Sequence, residues 1–497
     1  MIISKTKGKR ILLVHDLCDH NTLDESALDK LSNVLGEHEI EVLTATTAFD
    51  AEMMIVADPM IQAILLDWDL AEDNTHQAAK DVLNKLRSRA ENVPVFLFAD
   101  RADVADIPLE VLKETSDFIW LYEDTANFIA GRIEAAIDTY LKNLLPPMFK
   151  ALAKFSQVHE YSWHTPGHTG GTAFMKAPAG RAYFDFFGEN LFRSDLSISV
   201  GELGSLLDHS GPIGASEKYA AKVFGAHRTY HVTNGSSTSN RVIFMACVTH
   251  NQVALCDRNC HKSIEQGLML TGAKPVYMVP SRNRYGIIGP IYPQEMQPET
   301  LQKKISESPL TKDKAGQKPS YCVVTNCTYD GVCYNAKEAQ DLLEKTSDRL
   351  HFDEAWYGYA RFNPIYADHY AMRGEPGDHN GPTVFATHST HKLLNALSQA
   401  SYIHVREGRG AINFSRFNQA YMMHATTSPL YAICASNDVA VSMMDGNSGL
   451  SLTQEVIDEA VDFRQAMARL YKEFTADGSW FFKPWRSRHR PTNRQNL

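Results

Sequence analysis

Val384-Phe385-Ala386-Thr387-His388-Ser389-Thr390-His391-Lys392-Leu393-Leu394-Asn395-Ala396-Leu397 decides the fold. Val384–Ala386 reads as a buried strand, and a turn rich in hydroxyls and imidazoles ends it. An apolar stretch follows. A lysine set between His391 and apolar residues has a lowered pKa and makes a nucleophilic amine suited to a Schiff base. Read alone, it serves equally as a solvated surface lysine.

Working outward, two further stretches have the same form of strand followed by polar turn. Arg349-Leu350-His351-Phe352 precedes Asp353-Glu354-Ala355-Trp356, which puts a carboxylate at the ligand edge of an α/β sheet. Asp353 there suits a cationic ring nitrogen, a metal, a ribose or a simple cap. His231-Val232-Thr233 precedes Asn234-Gly235-Ser236-Ser237-Thr238-Ser239-Asn240 and then Val242-Ile243-Phe244-Met245. Small residues between strand and helix offer N–H groups and hydroxyls to a phosphate, and serve equally as an ordinary N-cap. The turn matches neither a nucleotide P-loop nor the dinucleotide glycine pattern. Between these stretches, Val253–Leu255 leads into Asp257-Arg258-Asn259-Cys260-His261-Lys262-Ser263, where His261 is placed to stack on a flat ring. Together they supply a phosphate anchor, a partner for a pyridinium, and a Schiff-base lysine with Ser389 beside it. Those are the requirements of pyridoxal 5′-phosphate.

Composition sets the background. The chain has 497 residues, 44% of them hydrophobic and 22% charged, which excludes a disordered or collagen-like chain. Its 49 basic and 59 acidic side chains give a net charge of −10 with no long basic stripe, so nucleic acid is not expected as a partner. Eight cysteines are too sparse for a disulfide scaffold. Cys256 and Cys260 with His261 have no second ligand pair, so no metal is expected. No stretch reaches the apolar length of a membrane span, and Ile11–Val14 is too short for a signal-peptide core. A cytoplasmic protein is expected.

The first part alternates strand and helix: strands at Ile11–Val14, Ile40–Leu43, Ala63–Leu66, Val93–Phe98 and Phe118–Leu121, a helix with Leu28, Leu31 and Leu35 on one face that Gly36 can end, and a long helix over 124–141. This is a doubly wound, flavodoxin-like unit resembling a signalling receiver domain, with Asp67 and Asp16 where the phospho-acceptor and its acidic neighbour belong. No lysine follows the fifth strand, where Tyr122-Glu123-Asp124 stands, so a structural or assembly module is favoured over phosphotransfer. Leu144-Leu145-Pro146-Pro147 breaks the pattern. The expected divisions are a wing at 1–133, a linker at 134–186, a cofactor-binding large domain at 187–446, the start of a small domain at 447–485, and an unrelated, disordered basic tail at 486–497.

With these motifs the chain resembles the bacterial inducible basic amino-acid decarboxylases, fold-type I pyridoxal phosphate enzymes acting on arginine, lysine and ornithine. The matching text includes Thr165-Pro166-Gly167-His168-Thr169-Gly170-Gly171, Leu203–His209, Val232–Asn240, Asp257–Ser263, Asn326–Gly331, His351–Trp356, Ser389–Lys392 and Met422–Pro429, and covers about residues 1–485. Leu255–Thr328 and Ala386–Trp485 look most like the arginine-specific branch, and several words before residue 254 are shared with the lysine enzymes.

The resemblance implies roles. Lys392 carries the cofactor, Asp353 pairs with its ring nitrogen, and His261 stacks over the ring. Ser236, Ser237 and Ser389 bind its phosphate, and His391 lies near the reacting atoms. Trp356 and Ala355 pack beside them, and Thr426 or Thr427 reaches the phosphate of a partner subunit. It also implies decarboxylation of L-arginine to agmatine and carbon dioxide with uptake of one proton, a reaction supporting survival in acid. Lysine or ornithine is the alternative substrate. A homodimer that builds a decamer through the wing is implied too. Acidic surfaces that lose their repulsion on protonation should favour that assembly at low pH, and a particle size constant from acid to neutral pH would contradict this.

Members of the family continue well past Trp485. Most of the small domain and the C-terminal domain are therefore expected to be missing, through a frameshift or premature stop. That would expose apolar surface near Trp480, Phe481 and Phe482 and raise a third reading, an inactive truncated relative.

Overall fold

The structure is a computed structural model. It describes residues 8–16, 22–70, 75–89, 92–98, 104, 107–158, 163–476 and 478–479. The expectations for Trp480, Phe481, Phe482 and the 486–497 tail lie outside the described residues.

Five short strands, β1 (Lys9–Val14), β2 (Ile40–Ala45), β3 (Ala63–Asp67), β4 (Val95–Phe98) and β5 (Asp117–Ile119), form a parallel sheet in the order β2-β1-β3-β4-β5. Helices cover both faces, which is why Ile11, Leu12, Leu13 and Val14 can all be buried in succession. The helix Thr22–Glu37 buries Leu28, Leu31 and Leu35 and runs one residue past Gly36, so that glycine does not end it. At the carboxyl ends of β1 and β3, His15 Nδ1 meets the Asp67 carboxylate at 2.6 Å. An imidazole therefore occupies one side of the acceptor that the receiver reading singled out.

The expected boundary at 133/134 falls inside a helix. Ala126–Leu144 is continuous, and its Ile129, Ala130, Ile133 and Ile137 fill one core layer of the wing. The chain leaves the wing at Leu145–Pro146. The next helix, Pro147–Ser156, is not a loose linker, because Met148 and Leu152 are buried in the same core as Tyr230, Val242 and Phe385 of the large domain.

Seven strands build the second sheet: β6 (Arg228–Val232), β7 (Val253–Asp257), β8 (Lys274–Met278), β9 (Tyr321–Thr325), β10 (Arg349–Asp353), β11 (Thr383–His388) and β12 (Ser401–Arg406), in the order β6-β12-β11-β10-β9-β7-β8. β12 runs antiparallel to both neighbours, and the other pairings are parallel. The carboxyl ends of β6, β7, β9, β10 and β11 consequently open on one edge, where Asp353 stands level with Thr325 and Thr387. Such an edge is where open α/β sheets bind ligands. Beyond the sheet, Asn447–Phe474 forms a helix of 28 residues that leaves Val456, Val461 and Phe463 exposed. Among the described residues no helix is long and apolar enough to cross a membrane.

Candidate active site

The turn after β6 opens the helix Ser236–Cys247 at Gly235, whose φ of 76° lies in the region glycine tolerates best. Gly235 N–H donates to Gln399 O at 2.8 Å, which ties this turn to the loop after Lys392. Ser236 and Ser237 are half-buried at the positive end of that helix. Ser389 sits at the other side, where β11 passes into the short helix Thr390–Leu393, and its Oγ is buried without a hydrogen-bond partner. A buried hydroxyl rarely stays unpaired, so this atom points to a missing acceptor or donor.

Asp353 ends β10 and is buried. Its Oδ2 accepts from Asn240 Nδ2 at 2.8 Å, and its Oδ1 accepts from Ala355 N–H at 3.3 Å. Burial holds its pKa above the ordinary aspartate value, opposed by the Asn240 hydrogen bond and by the charges of His261 and Lys392. Lys392 is half-buried with its Nζ 4.4 Å from the centroid of the Trp356 ring, a cation–π contact. Burial lowers its pKa, and the nearby Asp353 charge opposes that shift.

His261 caps the helix Lys262–Thr271, its Nδ1 accepting from Ser263 N–H at 3.2 Å and meeting Ser263 Oγ at 2.8 Å. Burial again lowers its pKa, with Asp353 acting in the opposite sense. His391 Nδ1 donates to Ala400 O at 2.7 Å, so its Nε2 is left as the acceptor.

The sheet edge thus gathers Ser236, Ser237, His261, Asp353, Ala355, Trp356, Ser389, His391 and Lys392. It does not gather Thr426 and Thr427. Thr427 is exposed between two helices, Thr426 Oγ1 accepts from Ser428 N–H at 3.1 Å, and no described hydrogen bond joins either residue to this group. Asp257 is a framework residue, its oxygens accepting from Asn259 N–H at 2.7 Å and Thr325 N–H at 3.1 Å.

Two sets of residues escaped the sequence reading. Asn240 Nδ2 joins Asp353 to Ser263 Oγ (2.9 Å). Its signal was an asparagine heading the stripe Asn240, Ile243, Phe244, Cys247, all buried. The second set is a chain beneath Ser389. Glu354 Oε2 accepts from His388 Nε2 (3.2 Å), His388 Nδ1 from His404 Nε2 (3.0 Å), and His404 Nδ1 from Thr229 Oγ1 (2.8 Å). These four buried groups run from just past the end of β10 through β11 and β12 to β6 and satisfy one another. Only the sheet order brings them together.

The comparisons agree with this architecture. Residues 146–493 match the major domain of Orn/Lys/Arg decarboxylase and residues 23–140 match its N-terminal domain. The former match reaches to residue 493, into the 486–497 segment expected to be unrelated to the family. The chain is 70% identical over 478 residues to the biodegradative arginine decarboxylase of Escherichia coli K12, covering 96% of this chain and 63% of that protein. It is 43% identical to the lysine decarboxylase LdcA of Pseudomonas aeruginosa, covering 95% of this chain and 63% of that one. In solved structures it is similar to the Francisella novicida lysine decarboxylase LdcF (TM-score 0.86, 36% identity, 98% of this chain and 65% of that one). The Pseudomonas aeruginosa lysine decarboxylase A gives the same TM-score of 0.86, with 41% identity over 95% of this chain and 63% of that one. This chain thus spans just under two thirds of the length of the relatives it matches. Both sheets, the wing and the gathered edge carry the same assignment: the chain belongs to the Orn/Lys/Arg decarboxylase family.

Proposed function

We propose that this chain decarboxylates L-arginine to agmatine and carbon dioxide with pyridoxal 5′-phosphate as cofactor, consuming one proton per turnover. The observation that carries the reading is its identity with the arginine enzyme, far above its identity with the lysine enzymes.

The residues present fit the cofactor. Ser389 Oγ lacks a partner and a phosphate oxygen would supply one, with Ser236, Ser237 and the helix N-terminus completing the cradle. Asp353 is a buried carboxylate that a ring N–H⁺ would pair with, which would offset its burial cost. Lys392 is the attachment point, and burial keeps a larger share of its amine neutral and nucleophilic. When bound, the cofactor supplies the sink for the electron pair that carbon dioxide leaves behind. His261 would cover the ring. His391, fixed by Ala400, presents Nε2 to hold or move a proton, and Trp356 holds the Lys392 ammonium when it is protonated.

A homodimer that assembles further through the wing, located in the cytoplasm, completes the proposal. Its support is the family membership and the seven free cysteines among the described residues. The test is release of carbon dioxide from arginine, lysine and ornithine by the chain with added cofactor, with Lys392→Ala as the control. Arginine turned over preferentially and lost in the variant supports the reading. Preference for lysine overturns the substrate assignment, and no turnover of any of the three overturns the activity.

A further inference from the structure

Between β9 and the helix Ala336–Leu343 the chain makes a tight turn that the site uses only at its base. Thr328 N–H donates to Val332 O at 2.9 Å and Gly331 N–H to Thr328 O at 2.9 Å, while Val332 N–H bonds Thr328 Oγ1 at 3.1 Å. The next pair outward from that closure is Cys327 and Cys333. Flanked on one side by that closure and on the other by the hydrogen bond from Tyr334 N–H to Asn326 Oδ1 at 3.0 Å, the two residues are neighbours across the turn.

The two legs are anchored below. Asn326 Nδ2 donates to Glu354 Oε1 at 2.9 Å and Asn326 Oδ1 accepts from Tyr334 N–H at 3.0 Å, so the two legs are held side by side. Cys333 is exposed, and Cys327 lies buried behind it with Tyr357 and Ala360. The tip of the turn carries Tyr329, which stands edge-on to Trp356 at 6.2 Å, the ring that contacts Lys392.

We propose that Cys327 and Cys333 form a redox-modifiable dithiol that a hydroperoxide closes to a disulfide, pinning the turn that bears Tyr329 against Trp356. The Cys333 sulfur attacks one peroxide oxygen. The O–O bond breaks, leaving a sulfenic acid and, after protonation, an alcohol or water. The Cys327 sulfur then attacks the Cys333 sulfur and gives up its proton, the S–O bond breaks, and water leaves. Two thiols are oxidised and one peroxide is reduced, and a small thiol reverses the step by exchange. The electrostatics favour this order. The neighbouring Cys327 thiol lowers the Cys333 pKa to about 7, while the Cys327 pKa is held well up, so Cys333 is the readier thiolate of the two. Burial pushes Cys247, Cys260 and Cys434 up to about 12, which keeps them unreactive.

The test treats the full chain with hydrogen peroxide, counts thiols after unfolding, and maps the cross-link by peptide mass. The expected result is loss of two of the eight thiols, restored by dithiothreitol, in the chain as it stands and in Cys322→Ser, but not in Cys327→Ser or Cys333→Ser. Conversion of Cys333 to a sulfinic acid while Cys327 stays a free thiol overturns the proposal, as does a cross-link that maps to any other pair. The unmodified chain supplies both readings even where a variant fails to fold.

Discussion

Asn240 favours the charged form of its neighbour Asp353. Burial alone favours the neutral acid, and the Asn240 amide 2.8 Å away is the protein donor that most stabilises the carboxylate. Only the charged form pairs with a ring cation, so cofactor affinity should fall in acid as Asp353 protonates, at a pH above the ordinary aspartate value. Asn240→Ala removes a hydrogen bond to a charged group, a contribution of about 1.5–3 kcal/mol. That should move the midpoint of this acid loss upward by about 1–2 pH units, measured by titrating pyridoxal phosphate across pH. An unchanged midpoint contradicts the role given to Asn240. Burial acts on Lys392 too, and there it lowers the pKa. Its charged form is the disfavoured one, so the neutral amine should appear below the pKa of 10.5 of a free lysine side chain. The pH dependence of its labelling by an amine-reactive reagent, compared with exposed lysines, measures this. A midpoint equal to theirs contradicts it.

At the scale of elements, the helix bearing Lys392 is tied to the first helix after the wing by one buried network. Thr390 Oγ1 hydrogen-bonds Asn437, and Asn437 Nδ2 reaches His231 Nδ1 at 3.3 Å. His231 Nε2 meets Ser216 Oγ at 2.8 Å, and Ser216 donates to Asp438 at 2.5 Å. The other Asp438 oxygen accepts Met148 N–H at 2.7 Å and Phe149 N–H at 3.1 Å, capping the helix Pro147–Ser156 from a distant part of the chain. Burial lowers the His231 pKa to about 3, so the imidazole stays neutral and relays these bonds in one direction. Asp438→Ala strips the cap and orphans Ser216, and should cost about 2–3 kcal/mol in chemical denaturation. A loss within experimental error would contradict the capping role.

Strands β10 and β11 were legible in the sequence because each is an apolar run that stops at a polar turn, and the chemistry sits at the stop. β12 was not. Ser401, His404 and Arg406 are buried polar residues whose partners lie on β11, β6 and the loops beside them, so a periodicity reading has nothing to follow. The wing boundary was misplaced for a related reason. Ile133 and Ile137 belong to the same apolar stripe, and only the sheet they cover assigns both to the wing.

Across the whole molecule, two α/β units meet different needs. The wing spends its apolar residues on a closed core with His15 against Asp67, while the large domain leaves one sheet edge furnished with a carboxylate, a lysine and an unpaired hydroxyl. The side chains gathered at that edge all fall within residues 236–392, in a chain that spans 63% of the arginine enzyme's length. Under the proposed function, this chain assembles a pyridoxal phosphate site around Lys392. The most direct measurement adds the cofactor to the purified chain, records the visible spectrum, reduces with borohydride and locates the pyridoxyl group by peptide mass. The expected result is a visible band that borohydride abolishes and a label on Lys392, absent from Lys392→Ala. A soluble, folded chain that gains no band, or a label spread over exposed lysines, would contradict it.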